Sequence, residues 1–195
     1  MASSSAEDLL RVLDRQEISA VLARYCRSLD RMDKELMTAV FHPAATVKYG
    51  GFEGTWLQLV DWIWEKHQAF ESHSHQMSNI IYDVAADGRS ATTESYVSAS
   101  FWQSATGTPT VALAAAPDGA GGAVAQTPGT QTEVRARYLD RWFRSDGRWA
   151  IFHRVCVVDF KTELAAVGLV GDGRRDERDQ SYQLGSSSAT SAFPA

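Results

Sequence analysis

Cysteine is scarce in this chain of 195 residues: the two that occur, Cys26 and Cys156, lie far apart and form no CxxC pair. This spacing excludes a disulfide framework and favours reduced, buried thiols. Long apolar runs are also missing, and none approaches the ~20 residues that a membrane helix needs. The acidic, amphipathic N-terminus lacks the apolar core of a secretion signal. We therefore expect a cytoplasmic protein that does not enter a membrane.

Runs of basic residues and cofactor motifs are absent as well. The formal net charge is −5, and the basic pair Arg174 and Arg175 lies among acidic residues. Nucleic acid is therefore not an expected partner. The sequence has no glycine-rich phosphate loop, no GxSxG elbow and no HExxH pair, so hydride transfer, kinase chemistry and serine hydrolysis are unsupported. We expect a site without a cofactor.

What the chain does have is a change of apolar periodicity from helical to strand-like. Apolar residues between Ile18 and Leu29 recur at the i, i+3, i+4 spacing of one helix face and predict a helix over 6–30. Asp33 and Thr55 are candidate N-caps for a short second helix and an aromatic-rich third helix. Alternating patterns then predict four strands. They cover 75–85, 90–103, 131–144 and 148–160.

Helices followed by consecutive antiparallel strands indicate an α+β fold rather than a parallel α/β sheet. A curved sheet wrapped over helices would enclose an apolar pocket. We expect one domain over 1–160, with an Ala/Gly/Pro-rich insertion or hairpin arm at 104–130. Residues 161–195 are polar and are predicted to form a C-terminal tail.

Two histidines stand one residue apart in FESHSHQMSN. His75 opens a predicted strand, where a lone histidine is more often an ordinary polar residue than a catalytic one. With His73 it could form an H-x-H metal pair, but a metal needs further ligands and none is suitably spaced. We therefore expect no metal site, and we expect His73 to end a loop, either as a residue of the pocket rim or as a bystander.

Three further polar side chains have a structural and a functional interpretation. Asp30 falls at the end of the first helix, where a carboxylate meets the negative end of the helix dipole. It is either a solvated loop or cap residue, or a carboxylate that orients a histidine or itself acts as a base. Tyr25 is either a core aromatic or a phenol that holds a substrate oxygen. Arg154 lies between apolar residues and requires an acidic partner or an anionic ligand.

Two stretches resemble SnoaL-like domains of the nuclear transport factor 2-like superfamily. The first, EISAVLARYCRSLDRMDKELMTAVFHPAATVKYGGFEG, is similar to the opening of these domains, and RARYLDRWFRSDGRWAIFHRVCVVDF is similar to their closing hairpin. The resemblance covers about 15–160 without 104–130. It implies a cone-shaped α+β barrel, with three helices in the concavity of a curved antiparallel sheet. It also implies assembly as a dimer or trimer.

The resemblance is greatest to the branch of scytalone dehydratase-like, bile-acid 7α-dehydratase-like and dehydrochlorinase proteins. It covers Asp30 in YCRSLDRMD, and His75, which stands four residues before Asn79 in HQMSN. It also covers Tyr25 and Arg154. It implies that His75 is a general base oriented by Asp30, that Tyr25 holds or protonates a leaving oxygen, and that Arg154 stabilises developing negative charge.

The resemblance thus implies a cofactor-independent lyase for an apolar, aromatic or polycyclic small molecule. The eliminated group would be water or another small group, or an aldehyde such as formaldehyde if a carbon–carbon bond breaks. The alternatives are an isomerase or cyclase of the same fold, and a non-catalytic module that binds apolar ligands. The candidate pocket walls are aromatic: Trp56, Trp62, Tyr96, Phe101 and Trp102.

Overall fold

The computed structural model describes residues 2–105, 127–168 and 173–183. Two helices, two short strands, a third helix and four long strands follow one another along the chain. They are α1 (Ala2–Asp30), α2 (Lys34–Thr38), β1 (Phe41–Tyr49), β2 (Phe52–Thr55), α3 (Trp56–His67), β3 (Ser72–Val84), β4 (Ser90–Ser104), β5 (Thr127–Ser145) and β6 (Arg148–Gly168). A short 3-10 turn follows at Gln180–Tyr182. No helix in these ranges is both long enough and apolar enough to span a bilayer.

The six strands form one curved sheet in the order β2-β1-β6-β5-β4-β3. Strands β3 to β6 pair as successive antiparallel neighbours, as the alternating patterns predicted. The expectation of a wholly antiparallel sheet is wrong at one pair, because β1 runs parallel to β6. Strand β1 enters the sheet from the helical layer rather than through a hairpin, which permits this direction. The sheet is mixed and does not close, and the α+β cone is confirmed.

Helix α1 lies in the concavity of the sheet and packs against β3 and β6. The apolar residues that predicted this helix form its buried face, and burying each one stabilises the fold by roughly 1.5–3 kcal/mol. They are Ile18, Val21, Leu22, Tyr25 and Leu29. Helix α3 begins at the predicted cap: Thr55 forms a capping box with Gln58. The buried face thus holds α1 against the sheet, and the capping box fixes the residue at which α3 begins.

The closing strand is longer than the sequence patterns predicted. Strand β6 continues to Gly168, and its last residues pair with the beginning of β5 at Thr127. Residues 161–168, expected in the tail, therefore belong to the sheet. The segment 173–183 returns to the helices, where the Tyr182 hydroxyl donates a 2.8 Å hydrogen bond to Asp33. Of the insertion expected at 104–130, Ser104 ends β4 and 127–130 begin β5, whereas 106–126 lie outside the described residues. The same holds for 169–172 and 184–195 of the expected tail.

A fully buried ion pair lies between the sheet and α1. The Nε and Nη2 atoms of Arg154 each donate a 2.7 Å hydrogen bond to the Asp140 carboxylate. The guanidinium lies 4.2 Å from the ring centre of Tyr25 and 4.1 Å from that of Tyr138. Burial alone would lower the pKa of Arg154, but the attraction of Asp140 raises it well above its usual value. Asp140 is the acidic partner that the sequence required for Arg154.

Because both charges are buried, removing one of them should lower the free energy of unfolding far more than replacing both by apolar side chains. We expect Asp140→Ala to lower the free energy of unfolding by ~3–5 kcal/mol, since it leaves the arginine uncompensated. The double variant Asp140→Leu with Arg154→Met should recover most of this loss. Guanidinium unfolding curves measure both. A loss below about 1 kcal/mol in the single variant would contradict the role assigned to the pair.

Candidate functional site

The structure brings His75 and Asp30 together at the junction of β3 and α1. The His75 Nδ1 donates a 2.7 Å hydrogen bond to Oδ1 of Asp30, and the His75 backbone N–H donates a 3.0 Å bond to Oδ2. The His75 side chain is 4% exposed and that of Asp30 is 15% exposed. A neutral imidazole that donates through Nδ1 carries a lone pair on Nε2. Nε2 is therefore the atom that can accept a proton.

Local backbone geometry sets the direction of both side chains. Alternation along β3 directs His73, His75 and Met77 towards the helices. The strand is then interrupted by a bulge at Asn79, which adopts φ 48°, a conformation in which asparagine is favoured. The bulge keeps Ile80 on the same face as His75. The spacing from His75 to Asn79, noted in the sequence, thus has a structural cause.

His75 belongs to a cluster of three histidines. The ring centres of His67 and His73 are 4.7 Å apart, and His75 lies 5.8 Å from His73 and 5.9 Å from His67. Phe101 packs against all three. The expectation that His73 ends a loop at the rim is wrong: it is a buried residue of β3. Burial lowers the pKa of His67 to about 3 and the pKa of His73 to about 2, so both are neutral near pH 7.

An arginine from the C-terminal segment covers this cluster. The Nε of Arg175 donates a 3.1 Å hydrogen bond to Nε2 of His73, and Nη2 donates a 2.8 Å bond to the backbone carbonyl of His67. Nη1 donates to the carbonyl of Phe70. Because Nε2 of His73 accepts a bond, its proton resides on Nδ1, which is buried without a partner among the described residues. Sequence reasoning missed Arg175 because it assigned the whole stretch to a polar tail.

The same cluster has the composition of a small metal site. One ligand atom each from Asp30, His73 and His75 lie within 4.8 Å of one another, which supplies the third ligand that the sequence did not reveal. A metal needs the lone pair of a neutral imidazole. The accepting nitrogen of His73 is instead bonded to Arg175, whose positive charge would also repel a cation. As arranged, the residues do not fit a metal ion.

Asp30 and His75, together called the dyad below, line a groove of about 530 Å³ between α1 and β3. Such a volume suits a small organic molecule. The apolar part of its lining comes from one face of each element: Leu22, Ala23, Cys26, Met77 and Ile80. Burial raises the pKa of Cys26 to about 12, so its thiol is protonated and is not a nucleophile at neutral pH.

Tyr25 and Arg154 form a second, internal cluster and do not line this groove. The Tyr25 and Tyr49 hydroxyls hydrogen-bond at 2.6 Å, and burial raises the pKa of Tyr25. Arg154 is bound to Asp140, which leaves one buried nitrogen, Nη1, without a partner among the described residues. The structure therefore does not bring these two side chains to the dyad.

The five aromatic residues predicted to form the pocket walls also lie in different places. Only Phe101 contacts the histidine cluster. Trp56 stacks on Phe41 in the core, and Trp62 packs against Phe52. Tyr96 and Trp102 lie on the outer face of β4, because their parity along the strand is opposite to that of the buried residues. The Trp102 indole there covers two glycines of the β5–β6 hairpin.

Comparison with protein families supports the fold predicted from the sequence. A model of the SnoaL-like domain matches residues 10–155. The chain belongs to the SnoaL-like domain family. The resemblance inferred from the sequence is thus confirmed, and the match ends before the segment that carries Arg175. No curated protein matches the chain.

Solved structures share the fold at low sequence identity. A protein from Novosphingobium aromaticivorans, provisionally assigned as a scytalone dehydratase, has a TM-score of 0.59 at 20% identity, over 85% of this chain and 97% of that one. The hexachlorocyclohexane dehydrochlorinase LinA-type3 from Novosphingobium barchaimii has a TM-score of 0.61 at 17% identity, over 84% and 98%. A provisionally assigned aromatic ring hydroxylase from N. aromaticivorans has 0.56 at 15%, over 80% and 94%.

Because His73 is buried and neutral, we expect the folded state to lose stability as the pH falls. In the unfolded chain a histidine takes up a proton near pH ~6.5, whereas folded His73 takes one up only near pH 2. The unfolded state therefore binds more protons in this window, and stability falls as the pH falls. We expect His73→Gln to reduce the slope of unfolding free energy against pH by about 1.2 kcal/mol per pH unit between pH ~6 and ~5.

Guanidinium unfolding at pH 7, 6 and 5 measures this slope. Gln76→Ala, on the exposed face of the same strand, is the control and should keep the wild-type slope. An unchanged slope in His73→Gln would show that His73 does not carry the effect.

Proposed function

We propose that this protein is a cofactor-independent lyase in which His75 is the general base and Asp30 orients it. The observation that carries the proposal is the 2.7 Å hydrogen bond from Nδ1 to Asp30, which leaves the Nε2 lone pair for chemistry beside an apolar groove. A histidine held by a carboxylate in this way is a standard general base, and the carboxylate stabilises the imidazolium that forms.

In the proposed reaction Nε2 removes a proton from a carbon of the substrate. The electron pair of that C–H bond becomes a new π bond while the bond to the leaving group on the adjacent carbon breaks. When the leaving group is hydroxide, the imidazolium returns its proton and water is released. General base catalysis of this kind contributes ~10²–10⁴-fold to the rate.

The same base would serve carbon–carbon cleavage. Removal of a hydroxyl proton lets the alkoxide collapse to an aldehyde such as formaldehyde, and the carbanion then takes the proton. An apolar, aromatic or polycyclic substrate fits the lining of the groove, with Phe101 packed behind the base. Tyr25 and Arg154 then act from the core, by holding α1 against the sheet, rather than at the leaving group.

The named neighbours support elimination chemistry only by analogy. One is provisionally assigned as a dehydratase and another is a dehydrochlorinase, and at these identities the likeness extends to the fold alone. One fold hosts many reactions. Assembly as a dimer or trimer and a cytoplasmic location stay predictions from the sequence.

A non-catalytic module that binds apolar ligands is the second candidate. Asp30 accepts the backbone N–H of His75 as well as its ring N–H. A pair of hydrogen bonds of this kind would also serve a purely structural link between the end of a helix and a strand. The two candidates differ in whether replacing the imidazole changes turnover or only stability.

Activity is tested by incubating the protein with panels of hydroxylated, halogenated and diol-bearing aromatic compounds. Mass spectrometry then detects loss of water, hydrogen halide or formaldehyde. We expect His75→Asn to lower the rate at least ~10²-fold because no base remains. Asp30→Asn should also lower it strongly, since an amide does not stabilise the imidazolium.

His153→Gln, a histidine variant on β6, is the matched control and should keep wild-type turnover. Unfolding curves show whether each variant is folded. Near-wild-type rates in folded His75→Asn would refute the base assignment. Binding of apolar compounds without any turnover would favour the binding module.

A further inference from the structure

The groove beside the dyad carries positive charge in a chain of the opposite sign. The protein has a formal net charge of −5. Two arginines, Arg27 and Arg31, and one acid, Asp30, line the groove. The Asp30 carboxylate already accepts both N–H groups of His75. Within the lining of the groove, the charge of the two arginines is therefore not compensated by a free carboxylate.

The two arginines differ in their partners. The Nε of Arg31 lies 3.2 Å from the Asp179 carboxylate, so its charge is compensated. The Arg27 guanidinium lies over the Tyr182 ring, 4.7 Å from its centre. Within the ranges that the structure describes, no carboxylate lies at ion-pair distance from Arg27. The aromatic ring fixes the position of the guanidinium without neutralising it.

A half-buried arginine that has no acidic partner in the described part of the chain, at a groove with apolar walls, points to a particular kind of ligand. We infer that the groove takes an apolar molecule that carries one anionic group of the carboxylate or sulfonate class, and that Arg27 binds this group. The inference rests on the proposed function only in calling this ligand the substrate. The planar guanidinium can donate two parallel hydrogen bonds to such an anion.

The apolar body of the ligand would lie between Leu22 on α1 and Met77 and Ile80 on β3. Arg27 and Asp30 are three residues apart on one helix, so their side chains lie on the same face. A ligand whose anion is held by Arg27 therefore extends towards His75. Arg27 is in this view a specificity-determining residue, and the reacting carbon is separate from the anionic group.

A matched pair of fluorescent probes tests the inference without knowledge of the natural substrate. Anilinonaphthalene sulfonate carries an apolar body and an anion, and N-phenylnaphthylamine is the same body without the anion. We expect the wild-type protein to bind the sulfonate about tenfold more tightly than the neutral amine. Arg27→Gln should abolish this preference, with little change in the affinity for the amine.

Two further variants locate the site and exclude a general effect of charge. Arg24→Gln removes an equal charge from an exposed position of α1 outside the groove and should leave the preference intact. Ala23→Trp places an indole in the groove from an exposed helix position and should abolish binding of both probes. Unchanged binding in Ala23→Trp, equal affinities in the wild type, or a retained preference in Arg27→Gln would each overturn the inference.

Binding and turnover are measured separately, so the two proposals fail separately. If His75→Asn loses turnover while Arg27→Gln keeps the probe preference, the proposed lyase stands and the anionic substrate class is wrong. If Arg27→Gln loses the preference while His75→Asn keeps full turnover, the groove binds anions but His75 is not the base.

Discussion

The carboxylate of Asp30 is the point on which the rest of this site depends. It terminates α1, and it accepts both the backbone and the ring N–H of His75 on β3. One side chain therefore joins the helical layer to the edge strand and selects the tautomer of the imidazole. Charge-assisted bonds of this kind are about twice as strong as neutral ones. A small shift of α1 against the sheet would change the position of the His75 imidazole directly, so the packing of the helix sets the geometry of the site.

The internal cluster around Arg154 supports this arrangement from the other side. Tyr25 lies on α1 five residues before Asp30, and the guanidinium of Arg154 packs on its ring. The ion pair with Asp140 keeps that guanidinium in place in an otherwise apolar region. A buried ion pair contributes little net stability, but the fold is strongly destabilised when one of its charges is left without its partner. We interpret the cluster as the element that holds α1 in register with β5 and β6.

Sequence patterns predicted much of the fold because its periodicities are local. The face of α1 through Ile18 and Leu29, the cap at Thr55 and the four long strands all depend on near neighbours. The parallel pairing of β1 and the length of β6 depend on distant partners and were missed. The resemblance to the family, rather than the residue types alone, indicated Asp30 and His75. The strand pattern did not show that Tyr96 faces outward, since alternation gives two faces without saying which is buried. Arg175 was missed because nothing local ties it to His73, about a hundred positions away.

The match to the family ends at residue 155, yet the arginine that covers the histidines lies at 175. The Asp30–His75 pair thus lies within the matched domain, whereas Arg175, which contacts His67 and His73, lies beyond it. Because residues 173–183 contact both the histidine cluster and Arg31 at the end of α1, a change in this segment would alter the surroundings of the groove as well as the packing of the helices.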